Sequence, residues 1–320
     1  MPNIACIGEC MLEFVSSRTQ HSTFERRYGG DTLNTCVYLA RLLKTSAKLH
    51  YVTRLGTDRF SRSMIEDWQR QGIDCSMVER VPGRLPGLYI IDTDDTGERS
   101  FMYWRSEAPA RELFRASGQE IAGRLAGFAV LYLSGITLAI LSPEGRARVI
   151  DLMTSCRNGG GLVAYDTNHR SRLWNDPADA VLWNSRAIGA STLVLPSSDD
   201  LSTLFGEALT NERWLDRLSH LGATEAVLKT GGDAVHILQD GNHLCVPLAR
   251  IPAPYDTTGA GDSFNAGYLA ARLDGATPKA AVERGHRLAS AVVMHPGAII
   301  PESAMPDMLG SSAAPKPQVP

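Results

Sequence analysis

Short apolar runs alternate with helix-patterned segments along most of the 320 residues, and that alternation limits the fold more than any other feature. Residues 3–8 read as a buried strand, 31–43 as a helix, 49–55 as a strand, and 58–71 as a helix capped by Asp58 and stopped at Gly72. Further apolar strands fall at 129–133, 162–165, 192–195 and 226–228, with helical patterns between them. A strand that is apolar on both faces needs cover on both sides. The repetition therefore argues for an α/β fold, a mainly parallel sheet between helical layers. Such sheets bind ligands beyond the carboxyl ends of their strands.

One segment breaks the alternation. Residues 87–93 and 98–105 read as two short strands around Asp94-Asp95-Thr96-Gly97, a hairpin signal. A period of two puts Arg99, Phe101, Tyr103 and Arg105 on one face and Ser100, Met102 and Trp104 on the other. A strand with arginines on one face and aromatics on both is not core on both sides, so this hairpin stands outside the main layers, as a lid, a dimer surface or a plain surface hairpin.

Composition excludes several classes. A hydrophobic share of 43% with 21% charged residues is that of a globular protein, and a net charge of −3 gives no basic footprint for nucleic acid. No apolar run approaches the roughly 20 residues that span a bilayer, and the Met1-Pro2-Asn3 start carries no signal-peptide pattern, so a cytoplasmic location without membrane attachment is expected. Cysteines 6, 10, 36, 75, 156 and 245 are scattered with no C-x-x-C pair, which points to reduced core thiols. His169 and His295 are read as structural. The stretch 310–320, rich in Ser, Ala and Pro, reads as a disordered tail behind one domain over 1–309.

The chemistry concentrates in Pro254-Tyr255-Asp256-Thr257-Thr258-Gly259-Ala260-Gly261-Asp262-Ser263-Phe264. Gly259 and Gly261 allow successive backbone N–H groups to converge on an anion. Phe264, Ala266, Leu269 and Ala270 follow at helical spacing, so the turn lies at a helix N-terminus, where orphan amides and the macrodipole favour negative charge. Asp262 is then either a helix cap or a general base beside a phosphoryl group.

The pattern Asp256-Thr257-Thr258-Gly259-Ala260-Gly261-Asp262 resembles the late signature of the ribokinase-like (PfkB-type) sugar kinases, and Gly29-Gly30-Asp31-Thr32-Leu33-Asn34 resembles their early double-glycine motif. The resemblance extends over about residues 3–300. It implies a three-layer α/β/α domain with a small β-sheet lid, here from about 9–28 and 84–107, and ATP with Mg²⁺ as the phosphoryl source. Lids of this family often pair, so it also allows a homo-oligomer through the lid.

Residue by residue, the resemblance implies Asp262 as the base with Gly259, Ala260 and Gly261 as the anion cradle. Gly30, Asp31 and Asn34 would hold sugar hydroxyls, and Tyr89 and Tyr103 would cover the sugar from the lid. Asp31 and Asn34 share a helix face, and a capping role for Asp31 is compatible with this. Lys229-Thr230-Gly231-Gly232-Asp233-Ala234 resembles the loop under the nucleotide, although by itself it is a β-turn. Nucleotide contacts would come from Asn168, Lys229, Gly231, Gly232, Gly259 and Gly261, with adenine near Ala289. There is no G-x-x-x-x-G-K-[ST], which excludes a P-loop, and no G-x-G-x-x-G after the first strand, which disfavours a dinucleotide enzyme.

Several local sequences resemble the 2-keto-3-deoxygluconate kinase branch: Gly8-Glu9-Cys10-Met11-Leu12-Glu13, Leu85-Pro86-Gly87-Leu88-Tyr89, Tyr103-Trp104-Arg105 and Asp166-Thr167-Asn168-His169-Arg170. That implies an acidic keto sugar phosphorylated on its terminal hydroxyl, with Arg105 and Arg170 as bidentate partners of its carboxylate. Another sugar or nucleoside kinase of this fold and a catalytically silent sugar-binding protein are the alternatives. The chain departs from the family where N-x-x-E is usual: Ser197-Ser198-Asp199-Asp200 stands there, leaving Asp200 to hold Mg²⁺ through water.

Overall fold

The computed structural model of the chain describes residues 1–16, 23–93, 99–115 and 118–308. The tips of the 94–97 turn and the tail expected at 310–320 lie outside them.

The chain opens with β1 (Asn3–Ile7), then β2 (Met11–Ser16) and β3 (Phe24–Gly29), α1 (Asp31–Leu43), β4 (Lys48–Gly56), α2 (Arg59–Arg70) and β5 (Val78–Val81). The hairpin β6 (Leu88–Thr93) and β7 (Arg99–Trp104) follows, and after it α3 (Gly118–Leu125), β8 (Val130–Ser134), α4 (Gly135–Ile140) and α5 (Pro143–Asn158). Next come β9 (Leu162–Asp166), α6 (Pro177–Gly189), β10 (Leu193–Val194), α7 (Ser198–Phe205), α8 (Asn211–His220) and β11 (Glu225–Lys229). The last elements are β12 (Ala234–Gln239), β13 (Asn242–Pro247), α9 (Ala260–Leu273) and α10 (Pro278–Val292).

The strands form a nine-stranded sheet in the order β13-β12-β11-β10-β9-β8-β1-β4-β5, and a second, four-stranded sheet in the order β3-β2-β6-β7. Every pair from β11 across to β5 is parallel, as the alternating pattern requires. β12 and β13 are antiparallel additions at one edge.

Period-two alternation explains the layering. Ile4, Cys6, Tyr132 and Ala164 point into one core with Leu33 and Val37 of α1, Leu269 of α9 and Leu288 of α10. Their neighbours Ala5, Ile7, Leu131, Leu133, Val163 and Tyr165 point into a second core with Val149 of α5, Ile188 of α6 and Trp214 of α8. Each strand is buried on both faces because each residue parity has its own helical layer.

β1 pairs with β4 on one side and with β8 on the other, so the strand order reverses at β1. The crevice outside the carboxyl ends of β1, β8 and β9 is the place where such a sheet binds ligands. The four-stranded sheet is built from the segments that flank this crevice, with β6 and β7 antiparallel and β2 joined in parallel to β6.

Candidate active site

A cavity of about 1100 Å³ opens at that crevice, lined from the β1 end by Glu9, from α1 by Asp31 and Asn34, from the lid by Tyr89, Tyr103 and Arg105, and from the α9 start by Gly259, Gly261 and Asp262. Lys229, Thr230, Gly231, Gly232 and Ala289 line it as well. Residues from opposite ends of the chain, chosen by different motifs, therefore face one space.

The α9 start is built around Gly259. It caps the helix with φ +75°, and a Cβ there would lie 2.8 Å from the Ala298 backbone, so both conformation and space demand glycine. Asp256 stabilises the turn by accepting from the Thr258 N–H and hydroxyl and, with its other oxygen, from the Gly297 N–H. The helix begins at Ala260, which brings Gly261 and Asp262 into its first turn. The Ala260 N–H donates to the Thr257 carbonyl, so that amide is spent on the turn. Among the described residues, the Gly261 and Asp262 amides donate to no backbone carbonyl, which leaves them to face an anion.

Asp262 does not cap its helix. Its Oδ2 accepts a hydrogen bond from Asn34 Nδ2 at 2.8 Å. Burial, reinforced by repulsion from Asp31, holds its carboxyl well above the usual carboxylate range, and the Asn34 bond opposes that shift. Such a group is a stronger base when ionised than an exposed aspartate.

Asp31 is the first residue of α1; the cap position belongs to Gly30, which makes no side-chain capping bond. Gly30 is needed for space, since a Cβ there would fall 2.2 Å from the Glu9 carbonyl oxygen. Asp31 accepts from Asn168 Nδ2 at 2.7 Å, and burial raises its pKa despite that bond. Asn168, which the resemblance implies as a nucleotide contact, is thus tied to Asp31 within the same cavity.

Sequence reasoning assigned no role to Asp166 or Asn265, and both sit at the centre of the polar network. Asn265 Nδ2 donates to Asp166 Oδ2 at 2.8 Å and to the Tyr132 hydroxyl at 3.1 Å, while its Oδ1 accepts from Lys229 Nζ at 2.9 Å. Lys229 Nζ also lies 3.6 Å from Asp166 Oδ1. Position was the available signal: Asp166 ends a strand beside the reversal point, and Asn265 stands three residues after Asp262 on one helix face.

The lid contributes a ring stack. Tyr89 and Tyr103 lie 5.5 Å apart at 23°, with Phe101 6.4 Å beyond Tyr103, while Met102 and Trp104 on the opposite face are 43% and 55% exposed. The Tyr89 hydroxyl donates to the buried carboxylate of Glu13, which fixes the ring rather than freeing its hydroxyl for a ligand.

The expected carboxylate partners are already engaged. Arg105 forms a buried ion pair with Glu9, a residue given no role from sequence, and burial raises the Glu9 pKa in spite of that partner. Arg170 lies 3.5 Å from Asp200. The Asp200 carboxyl is itself raised, first by burial and then by Asp166.

A divalent cation would find oxygen donors in Asp166 and Asp200, two carboxylates close enough to repel each other. Among the described residues no group of three or more His, Cys, Asp or Glu side chains is poised to cage a metal. That donor set fits an ion held through its waters and a nucleotide's oxygens rather than a protein-caged one. No helix among the described residues is long and apolar enough to cross a membrane.

Comparison with known proteins gives the same picture. The model of the pfkB family of carbohydrate kinases matches residues 1–305. The chain is 43% identical over 309 residues to the 2-dehydro-3-deoxygluconokinase of Dickeya dadantii, covering 95% of this chain and 98% of that one. Among solved structures, a PfkB protein from Polaromonas sp. JS666 superposes with a TM-score of 0.80 at 26% identity, over 92% of this chain and 96% of the other. A putative ribokinase II from E. coli, in complex with ATP and Mg²⁺, superposes with a TM-score of 0.82 at 19% identity, over 97% of each chain.

Proposed function

The chain belongs to the pfkB family of carbohydrate kinases, and on that premise we propose that it transfers the γ-phosphoryl group of ATP to the terminal hydroxyl of 2-keto-3-deoxygluconate, giving 2-keto-3-deoxy-6-phosphogluconate and ADP. The substrate reading is supported by the 43% identity to a 2-dehydro-3-deoxygluconokinase, another name for the same activity, across nearly the whole of both chains. The observation that carries the mechanism is the meeting of Asp262 with the free amides of Gly261 and Asp262 at one cavity wall.

Asp262 takes the proton of the terminal hydroxyl while that oxygen forms its bond to the γ-phosphorus; the bond from that phosphorus to the bridging oxygen of ADP breaks in line. Asn34 holds the carboxylate in place for this transfer. The amides at the α9 N-terminus stabilise the negative charge spread over the phosphoryl oxygens, and Lys229 adds a cation at the same wall. Mg²⁺ bound with the nucleotide neutralises charge on its phosphates, and Asp166 and Asp200 are the residues that would hold its waters. The Tyr89 and Tyr103 rings cover the sugar and keep bulk water from the transferring group.

The test is a panel of sugars, nucleosides and sugar acids offered with Mg·ATP, with ADP release as the readout. Turnover confined to 2-keto-3-deoxygluconate, or strongly favouring it, is expected. Preference for a neutral hexose or a nucleoside would overturn the substrate, and binding without ADP release would overturn the kinase reading itself.

A further inference from the structure

Tyr132 lies in the middle of β8, between β1 and β9, and points to the side of the sheet that carries α1 and α9. It is fully buried, as are Thr35 and Asn265, and none of the three lines the cavity. Its hydroxyl is nevertheless shared between the two helices that carry the reactive side chains: Thr35 Oγ1 of α1 lies 3.1 Å away, and Asn265 Nδ2 of α9 donates to it at 3.1 Å. Thr35 follows Asn34 in the chain, and Asn265 stands three residues after Asp262.

Every polar side-chain atom at this junction has a partner. Thr35 Oγ1 also lies 3.2 Å from the carbonyl oxygens of Asp31 and Asp262, so its single proton has three oxygens in reach. When that proton goes to either carbonyl, the Tyr132 hydroxyl supplies the proton between the two side chains, and the Thr35–Tyr132 bond persists either way. Asn265 spends one Nδ2 hydrogen on Tyr132 and the other on Asp166 Oδ2 at 2.8 Å, and its Oδ1 accepts from Lys229 Nζ. Burial, with repulsion from Asp166 and Asp262, holds the Tyr132 phenol far above its usual pKa, so it remains a neutral donor and acceptor.

Resting on the reading of Asp262 as the base, we propose that Tyr132 is a positioning residue for phosphoryl transfer: its hydroxyl fixes α1 against α9 and thereby holds the Asn34 amide on the Asp262 carboxylate. Residues 34 and 262 are 228 positions apart, so only contacts across the fold set the distance between them. Tyr132 bonds to both helices at once from a strand inside the nine-stranded sheet, which gives the two a common reference. Apolar packing alone does not fix a helix along its axis as closely as a shared hydrogen bond does. Proton transfer to a base needs that closeness, because its rate falls steeply when the acceptor is misplaced.

The experiment measures kcat, KM for the sugar and for ATP, and the pH profile of kcat/KM on the full chain carrying Tyr132→Phe, Thr35→Val, Thr35→Ser, or Tyr132→Phe together with Asn34→Ala, with Asp262→Asn as the reference. Tyr132→Phe is expected to lower kcat about tenfold, the worth of one buried hydrogen bond left unmade, and to leave both KM values unchanged. It should also move the acidic limb to higher pH, because the Asn34 bond that lowers the Asp262 carboxyl is loosened. Thr35→Val should reproduce that shift, and Thr35→Ser, which keeps the hydroxyl, should lose less. On the Asn34→Ala background Tyr132→Phe should add no further shift. A Tyr132→Phe protein that melts at a lower temperature but keeps its kcat and its limb has lost only packing, which overturns the proposal. A full further shift in the double variant overturns it too, since Tyr132 would then act on Asp262 without Asn34. If Asp262→Asn transfers the phosphoryl group as fast as the unmutated protein, the base reading itself fails, whereas a slow Asp262→Asn beside an unaffected Tyr132→Phe defeats the Tyr132 assignment alone.

Discussion

The side-chain amide of Asn34 lies 2.8 Å from Oδ2 of Asp262, joining two residues 228 positions apart in the chain. One comes from the first turn of α1 and the other from the first turn of α9, so two helix N-termini meet over the same reacting space. The contact opposes the rise that burial gives the Asp262 carboxyl, so it bears on protonation as well as on geometry.

Removing that amide shifts the pH dependence in a fixed direction. The hydrogen bond favours the ionised form of Asp262, so Asn34→Ala raises the carboxyl's pKa further and moves the acidic limb of the kcat/KM profile to higher pH. At neutral pH the loss in kcat/KM should be on the order of tenfold, the worth of one hydrogen bond to a charged group. A uniform loss with an unmoved limb would assign Asn34 to sugar binding alone.

Asp262 should also cost stability. Its folded-state pKa lies above its unfolded value, so its stabilising contribution is fully present below the unfolded pKa and is lost as pH rises through the folded one. Asp262→Asn should therefore melt at a higher temperature than the unmutated protein in the neutral to alkaline range, with the gap closing toward acid pH. Thermal melts of both proteins across that range check this, and a gap that widens on acidification would contradict it.

These expectations depend on parts of the site that the sequence exposed unevenly. The parallel sheet, the α1 boundaries and the lid hairpin were legible because each follows from local periodicity or turn chemistry. The β12–β13 hairpin carried its own signal in Asp240-Gly241, where both residues have positive φ, and was passed over beside the stronger α/β pattern. The motif residues of the anion turn were legible as a string. Glu9, Asp166 and Asn265 were not, because their contacts reach across 50 or more positions, as with Asn265 and Asp166, 99 positions apart. Local patterns say which element a residue sits in, and only the folded crevice says which charges neutralise each other.

The Glu9–Arg105 pair gives a thermodynamic test. Both side chains are almost wholly buried, at 1% and 10% exposure, so Arg105→Met leaves a carboxylate without its counter-ion. A cost of about 3–5 kcal/mol in urea unfolding is expected above neutral pH. The double variant Glu9→Gln/Arg105→Met should recover part of it. Additive losses in the two single variants would show that the residues do not act as a pair.

Lys229 should separate the two substrates. It ends β11 and lines the cavity, with Nζ on Asn265. Lys229→Met is expected to raise KM for ATP about tenfold or more, the scale of a charge-assisted contact, and to change KM for the sugar little. The reverse pattern in initial-rate kinetics would move Lys229 to the sugar side.

The most direct measurement is single-turnover phosphoryl transfer by Asp262→Asn, with sugar binding followed in parallel by calorimetry. The variant should bind the sugar as the unmutated protein does and transfer the phosphoryl group about 10²–10⁴-fold more slowly, the range of a lost general base. An unchanged transfer rate with intact binding would remove Asp262 from the reaction and contradict the account.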